Sequence, residues 1–566
     1  MIRAKLERAQ LGLLVLSGLG GVLSAGACSP AQQETPDSGL VVSSDAKATV
    51  GDAAASTLTE LAVSATSGAP PITLAPAFSP DIHDYSVACQ VGTNPMSVSM
   101  SAAKGGTTQL LQPTSSAVAP SQTLPVSVPE GGAIVVVVKH GAASSEYWVR
   151  CLPHDFPAPV WLPHAGAEKL APGYYLVGGW WPVLGIPGYA EIFDSNGAPV
   201  WFSRGPGFGV ADVVALKPNT VTFYPDPVYG SYYPYETLDL TTKSKTVLAP
   251  SSSPSSQHEI ILLENGDYLV LTTPLTTGVD LTGLTMTNRD GSLTPLGPNE
   301  SLQDCAIVEF QPDGNVVHSW LASDHFDPVA SSTYAALGAV AQTGGQASSV
   351  IDVFHCNSID IDPASGNLLI SARHMNSVFF VDWKGTQKVL WKMGGKNASK
   401  DHALYVPVDD PFVGQHDARL VAGWSPGCHG GTGQISLFDD ETFTKGIARA
   451  VIYDVVVGGD SSDAGTVPGG AACPTGKVTP GATLAWEYKG IQFTGLGGSL
   501  RIAADGTRLI GWGSYGASGW VFSEVAADGT DLLDLHFGDK DTSYRTIKVP
   551  LSTFDLETLR TTAGLQ

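Results

Sequence analysis

From about residue 155 onward one pattern keeps returning. Two short strands are followed by a turn with an acidic residue and a glycine, then by two more strands with an aromatic near the end. YYLVGG with YAEIFDSNGAPVWFS makes one unit, VADVVALKPNTVTFY with YETLDLTTKSKTVL a second, and QHEIILLENGDYLVLTT with CAIVEFQPDGNVVHSWLA a third. FHCNSIDIDPASGNLLISAR with VFFVDWKGTQKVLWKMGG makes a fourth. GQHDARL, ISLFDD, ARAVIYDV and TLAWEYKG make a fifth, and SLRIAADGTRLIGWGS with VFSEVAADGTDLLDLHF a sixth. A four-stranded unit cannot bury both faces alone, so copies must stack around an axis. The pattern predicts an all-β fold, a β-propeller of about six blades over residues 155–566. Composition agrees: 64 glycines, 39 prolines and only 15% charged residues leave many turns and few amphipathic helices. Interruptions at 275–300, 322–350 and 455–480 are expected to be loops.

Residues 56–153 alternate differently and predict a small β-sandwich ahead of the propeller. Its PAFSPDIHDYSV and closing EYWVRC resemble the cadherin-like modules of bacterial surface proteins. At the N-terminus, Arg3, Lys5 and Arg8 precede a mostly apolar Leu11 to Leu23, too short for a permanent membrane span. Ser24-Ala25-Gly26-Ala27-Cys28 resembles a bacterial lipobox, with Ala25 where leucine is usual. That resemblance implies a signal peptide over 1–28, a lipid on Cys28, and a flexible linker over 29–55. Ordinary secretory cleavage near Ala25 or Ala27 is the alternative. Either way the chain is expected to be exported, and with the lipid to sit on a bacterial membrane, in the periplasm or at the cell surface. Disulfides are then expected. Six cysteines besides Cys28 allow fifteen full pairings. Cys89–Cys151 within the sandwich and Cys428–Cys473 within one loop region are the expected pairs, with Cys305 and Cys356 left as buried thiols.

The formal charge of −23 argues against binding nucleic acid, which needs a basic face. No Walker loop, dinucleotide fingerprint or GxSxG elbow occurs, and GLGGSL at 495–500 fits none of them, so no nucleotide cofactor is expected. Three histidines hold the same place in successive units: His258, His355 and His416. Arg373 ends the strand that pairs back onto His355. Starts of innermost strands line one mouth of a propeller channel, so these four residues are expected to share one small volume. Three imidazoles beside a guanidinium suit an anion. Zinc is the alternative for three histidines, and Arg373 argues against a cation there. His374, His402 and His429 do not share the repeat position and read as exposed loop residues. Asp417 follows His416 directly and is expected to face away from it. Asn357 and Ser499 read as structural or secondary contacts, and Trp391, Trp486 and Trp512 as packing.

His355-Cys-Asn357-Ser358-Ile359, Leu369-Ile-Ser-Ala-Arg373, Val389-Leu-Trp391-Lys-Met-Gly394-Gly395, Gln415-His416-Asp417-Ala418, Trp486-Glu-Tyr488 and Gly498-Ser499 resemble the bacterial arylsulfotransferase family, in the family's order. The resemblance implies transfer of sulfate from a phenolic ester to a phenol acceptor, without a nucleotide donor, through a sulfated histidine. His416 matches the nucleophile, and His258, His355 and Arg373 match the residues that hold the sulfuryl group. No metal or other cofactor is implied. Two other classes fit the same residues: a surface propeller that binds an anionic or aromatic ligand without turnover, and a metal-dependent hydrolase or lyase.

Overall fold

The computed structural model describes residues 56–564 apart from 67–70, 181–187, 208, 228–231, 289–290, 339–349, 428–429, 461–476, 515–518 and 539–541. Cys28, Cys428, Cys473 and His429 therefore lie outside the described residues. Val50–Gln566 form one compact unit.

Strand pairing groups the repeats into four-stranded antiparallel blades. The second blade is Gly209–Val214, Thr220–Asp226, Tyr235–Asp239 and Ser244–Leu248. The third is Ser255–Leu262, Tyr268–Thr272, Ala306–Phe310 and Val316–Leu321. The fourth is Cys356–Ile361, Leu368–Ala372, Ser377–Val381 and Val389–Met393, extended by a short parallel strand at Leu404–Val406. The fifth is His416–Leu420, Thr432–Asp439, Arg449–Val456 and Gly481–Lys489. The sixth is Ser499–Ile502, Arg508–Gly511, Trp520–Val525 and Asp531–Phe537.

The first repeat, Gly173–Trp180, Tyr189–Phe193 and Pro199–Arg204, holds only three of its blade's strands. Its innermost strand comes from the far end of the chain: Thr542–Pro550 pairs with Gly173–Trp180. Conversely Pro159–Pro163 adds a fifth, outer strand to the sixth blade. The first and last strands of the propeller thus close the ring by hydrogen bonding, each completing the blade at the other end. The first and second blades share strand pairing at one residue pair, Gly209–Trp180. A Cβ on Gly209 would stand 2.3 Å from the Gly179 carbonyl oxygen, at a φ of +130°, so the blades approach there only because the residue is glycine. Middle strands such as Leu368–Ala372 and Ser377–Val381 are buried throughout because neighbouring blades cover both faces. The outer strand Ser244–Leu248 buries only its last residue.

Five of the six innermost strands break register at the same level. The shifts fall between Ala211 and Val214, Ser255 and Ile260, Cys356 and Ser358, His416 and Arg419, and Ser543 and Thr546. Bulges re-aim side chains, and here each carries polar residues towards the channel. Asp212, His355 and Asp417 adopt left-handed φ values of 48°, 52° and 55° at or beside them. Consecutive residues therefore do not alternate there. His416 enters the histidine layer while Asp417, expected to turn away, enters a layer of buried charges.

That layer crosses the channel. Arg545 Nη1 lies 2.8 Å from Asp212 and 3.0 Å from Glu259, and its Nε lies 3.4 Å from Asp417. Arg419 Nη2 lies 2.5 Å from Glu259 and 2.6 Å from Asp417, and Arg501 Nη2 reaches Asp417 at 2.8 Å. Three guanidinium groups thus meet three carboxylates contributed by the first, second, third, fifth and sixth blades.

Two of the expected loops are structured. Leu275–Val279, Glu300–Gln303, Ile351–Asp352, Ala335–Leu337, Thr285–Thr287 and Leu293–Pro295 form one six-stranded accessory sheet. Each strand is too short to be legible alone, and the sheet exists only because two insertions meet. Cys305 and Cys356, expected as thiols, form a disulfide that joins the third and fourth blades. The cysteines are 51 residues apart, and only the blade stacking brings them together.

Upstream, Leu58–Ala65, Thr93–Ala102 and Ser121–Pro129 form one sheet. Asp84–Ala88, Ala143–Leu152, Ala133–His140 and Thr107–Gln112 form another. They enclose a core that includes Val98, Val136 and Tyr147, and a disulfide links Cys89, just past Asp84–Ala88, to Cys151 on the neighbouring strand Ala143–Leu152. Arg560, on the C-terminal helix Leu556–Thr562, pairs with Asp84, and Arg150 donates to the Arg560 carbonyl at 2.7 Å. Removing one member of a buried ion network leaves the others uncompensated. Arg545→Ala is expected to lose about 3–5 kcal/mol of stability, read by denaturant unfolding.

Candidate functional site

The four residues read from the sequence come together at the channel mouth. The His258 ring centroid lies 5.1 Å from that of His355, nearly perpendicular, and 6.3 Å from that of His416, nearly parallel. Tyr544 packs edge-on against both His258 and His416, at 5.7 and 6.2 Å. Arg373 donates its backbone N–H to the His355 carbonyl at 2.9 Å. The three histidines are not strictly equivalent: His258 lies within its strand, His416 opens one, and His355 precedes Cys356–Ile361.

A cavity of about 180 Å³ is lined by His258, His355 and Arg373, together with Asp226, Thr272, Gln303, Asp304 and Asp352. His416 is not part of that wall. It stands beside His258 in the same layer, with 1% of its surface exposed.

His416 Nδ1 lies 3.1 and 2.9 Å from the two oxygens of Asp440. Donation from Nδ1–H leaves the lone pair on Nε2. Burial, and then the nearby Arg373 and His258, hold His416 well below the usual histidine range, so its ring is neutral. Burial also raises the Asp440 carboxyl well above the ordinary range, against the pull of Arg373, whose Nε lies 3.9 Å away.

Arg373 has five donors, of which His374 Nε2, Thr442 Oγ1 and the Gly495 carbonyl take three. Its Nε is buried without a hydrogen-bond partner. The guanidinium also stacks 4.9 Å over the Phe443 ring. It is therefore held rigidly with Nε and one Nη1 hydrogen unused, the form suited to oxygens of an anion.

His355 Nδ1 pairs with Asp352 Oδ2 at 2.5 Å. Burial opposes ionisation of Asp352, but His355 and His374 together hold its carboxyl below the ordinary carboxylate range. Asp352 owes its place to the accessory sheet, where it pairs with Gln303. His258 Nδ1 is hydrogen-bonded to the Ser256 hydroxyl. Burial, and then the proximity of His355 and Arg545, keep His258 neutral.

His374, expected on a loop surface, is only 2% exposed and packs 4.6 Å from the His355 ring. Its Nδ1 lies 3.0 Å from the Asp352 carbonyl, and burial lowers it to about 4. A short 3-10 turn at Arg373–Met375 folds it inward. Neither His374 nor the two carboxylate partners was found from the sequence. Asp352 stands three residues before His355, and Asp440 ends LFDD, but acidic residues are common in turns and neither spacing marks a partner. His402 is exposed, as expected. Asn357 Nδ2 donates to the Gln415 carbonyl at 2.6 Å and Ser499 is buried against Thr546, while Trp391 packs on Phe380.

Among the described residues, Asp352, His355 and His374 form the one group able to hold a metal ion, with ligand atoms within 4.8 Å of one another. Their geometry does not favour one. Arg373 donates to His374 Nε2, so that nitrogen's lone pair is used and a fixed positive charge stands beside the site.

Residues 231–457 match the model of the family Arylsulfotransferase (ASST), a span that contains His258, His355, Arg373 and His416. No curated protein matches the chain in sequence. Similar solved structures include an auxiliary nutrient binding protein from Bacteroides ovatus, 9% identical, with a TM-score of 0.28 over 78% of this chain and 83% of that one. A quinonprotein alcohol dehydrogenase-like protein from Bacteroides thetaiotaomicron is 10% identical, with a TM-score of 0.19 over 74% and 99%. A europium-containing methanol dehydrogenase is 11% identical, with a TM-score of 0.23 over 84% and 82%. The disulfide beside the site yields a prediction. Replacing Cys305 and Cys356 together by serine should lower unfolding stability by about 2–4 kcal/mol, measured by thermal or urea denaturation.

Proposed function

We propose that this chain, whose residues 231–457 match the arylsulfotransferase family model, is an exported enzyme that moves a sulfuryl group from a phenolic sulfate ester to a phenol. The observation that carries the reading is a neutral His416 imidazole tied through Nδ1 to buried Asp440, beside a guanidinium with unused donors. In the first half-reaction His416 Nε2 attacks sulfur, an N–S bond forms, and the S–O bond to the aryl group breaks. The departing phenolate, whose conjugate acid has a pKa of about 10, takes a proton from His355, which Asp352 steadies. In the second, the acceptor oxygen attacks sulfur, its proton passes to His355, and His416 is released unchanged. Arg373 binds the sulfuryl oxygens throughout. With the Ser256 hydroxyl donating to Nδ1, His258 presents Nε2–H as a further donor.

The burial of His416 is the one feature that favours the other reading, an anion-binding propeller without turnover. Phenol release from an aryl sulfate that accelerates when a second phenol is added separates the two. His416→Ala should lower transfer from a chromogenic phenyl sulfate by at least about a thousandfold. Wild-type-like transfer in that variant, or trapped sulfate on another residue, overturns the assignment.

The pH dependence has a definite sign. Lowered His416 is neutral above its own titration, whereas raised Asp440 is ionised only above a value beyond the ordinary carboxylate range. On acidification Asp440 protonates first, so transfer should fall with pH along one acid limb above pH of about 4. Asp440→Asn should be slower and should lose that limb in a pH–rate profile.

A further inference from the structure

The cavity has a second wall that sulfuryl transfer does not use. It is built from the second and third blades and the accessory sheet: Asp226 ends Thr220–Asp226, Thr272 ends Tyr268–Thr272, Gln303 ends Glu300–Gln303, and Asp304 leads into Ala306–Phe310. Asp226, Thr272, Gln303 and Asp304 are 4, 1, 8 and 2% exposed. Each nevertheless has a buried oxygen with no hydrogen-bond partner: Asp226 Oδ1, Thr272 Oγ1, Gln303 Oε1 and Asp304 Oδ2.

The second oxygen of each aspartate is engaged, so these two side chains are held in place. Asp304 Oδ1 accepts from the backbone N–H groups of Cys305 and Ser323 at 2.8 and 3.2 Å. Asp226 Oδ2 accepts from Trp180 Nε1 at 3.2 Å. Asp304 adjoins Cys305 and His355 adjoins Cys356, so the disulfide fastens this wall to the catalytic one. A buried polar oxygen without a partner is costly, and four residues that carry one line this cavity, two of them carboxylates that can only accept when ionised. Burial pushes Asp226 and Asp304 up only to about 6, so both are ionised at neutral pH. Among the described lining residues Arg373 is the one guanidinium or ammonium group.

The cavity lining therefore sets one guanidinium, Arg373, which stands with the Asp352–histidine pairs, beside two further carboxylates, Asp226 and Asp304, that come from other strands. Its volume of about 180 Å³ compares with the roughly 150 Å³ of a cavity that accepts benzene, enough for one ring. We propose that this wall is the aryl subsite, and that it selects phenols whose ring substituent carries a protonated amine. The inference rests on the sulfuryl-transfer reading: the ester's sulfate lies at Arg373, and the ammonium at the far side of the ring meets Asp304 and Asp226. Phenols with a carboxylate at that position are disfavoured by the same charges.

The test uses the full chain, an aryl sulfate donor and three acceptors of similar size: para-(aminomethyl)phenol, para-ethylphenol and para-hydroxyphenylacetate. The expected order of kcat/KM is cationic, neutral, anionic, with the cationic phenol favoured about tenfold over the neutral one. Asp304→Asn keeps the acceptor for the Cys305 and Ser323 N–H groups while removing the charge. The cationic-to-neutral ratio should fall about tenfold in that variant, and also in Asp226→Asn. Equal kcat/KM for the cationic and neutral phenols in the wild type overturns the subsite and leaves the transferase reading intact. So does a ratio that both variants preserve. Absence of transfer to any phenol instead overturns the transferase reading. Binding is then read directly as the rise in Tm on adding each phenol, and no greater rise with para-(aminomethyl)phenol than with para-ethylphenol overturns the subsite.

Discussion

The site depends on Arg545. Its side chain is 1% exposed and reaches Asp212, Glu259 and Asp417 from three other blades. Arg545 belongs to the strand that closes the ring, so the pairing of the two chain ends and the charge layer are one structural fact. Arg419 and Arg501 complete the balance of three cations and three anions. Buried charges are tolerated only when paired, so the layer sets how the inner strands sit against one another. The histidine layer lies directly above it: His258 precedes Glu259, His416 precedes Asp417, and Tyr544 precedes Arg545. Whatever places the charges also places the imidazoles.

The bulges explain this coupling. In a regular strand the neighbour of an inward residue points outward. Register shifts in five inner strands let successive residues serve successive layers of the channel. His416 and Asp417 illustrate the result, one tied to Asp440 and the other to Arg419, Arg501 and Arg545. The site proper adds two carboxylate–imidazole pairs, Asp440 with His416 and Asp352 with His355, which differ in purpose. The first is sealed and leaves a neutral ring. The second borders the cavity and suits a proton donor.

Much of this was legible in the chain. The repeated four-strand pattern marked the blades, and the repeat positions of His258, His355 and His416 marked one mouth of the channel. Arg373 was placed by hairpin pairing alone. What escaped was whatever depends on contacts between distant segments. Thr542–Pro550 reads as one more strand, and nothing local says that it completes the first blade. The accessory sheet consists of pieces of two to five residues from two insertions. Asp352 reaches His355 because of that sheet, and His374 turns inward because a short 3-10 turn follows Arg373. Cys305 and Cys356 read equally well as thiols until the third and fourth blades are set side by side.

The division has a physical origin. Side-chain alternation, turn residues and repeated motifs act over a few residues, so the amino-acid sequence alone determined the all-β class, the repeating blade and the residue types offered to the channel. Ring closure, the disulfide between blades, the charge layer under Arg545 and the carboxylate partner of each histidine are settled by the balance of burial and pairing among segments far apart in the chain. Only the tertiary structure decided them, because a buried charge or an imidazole takes its state from neighbours that the sequence does not place beside it.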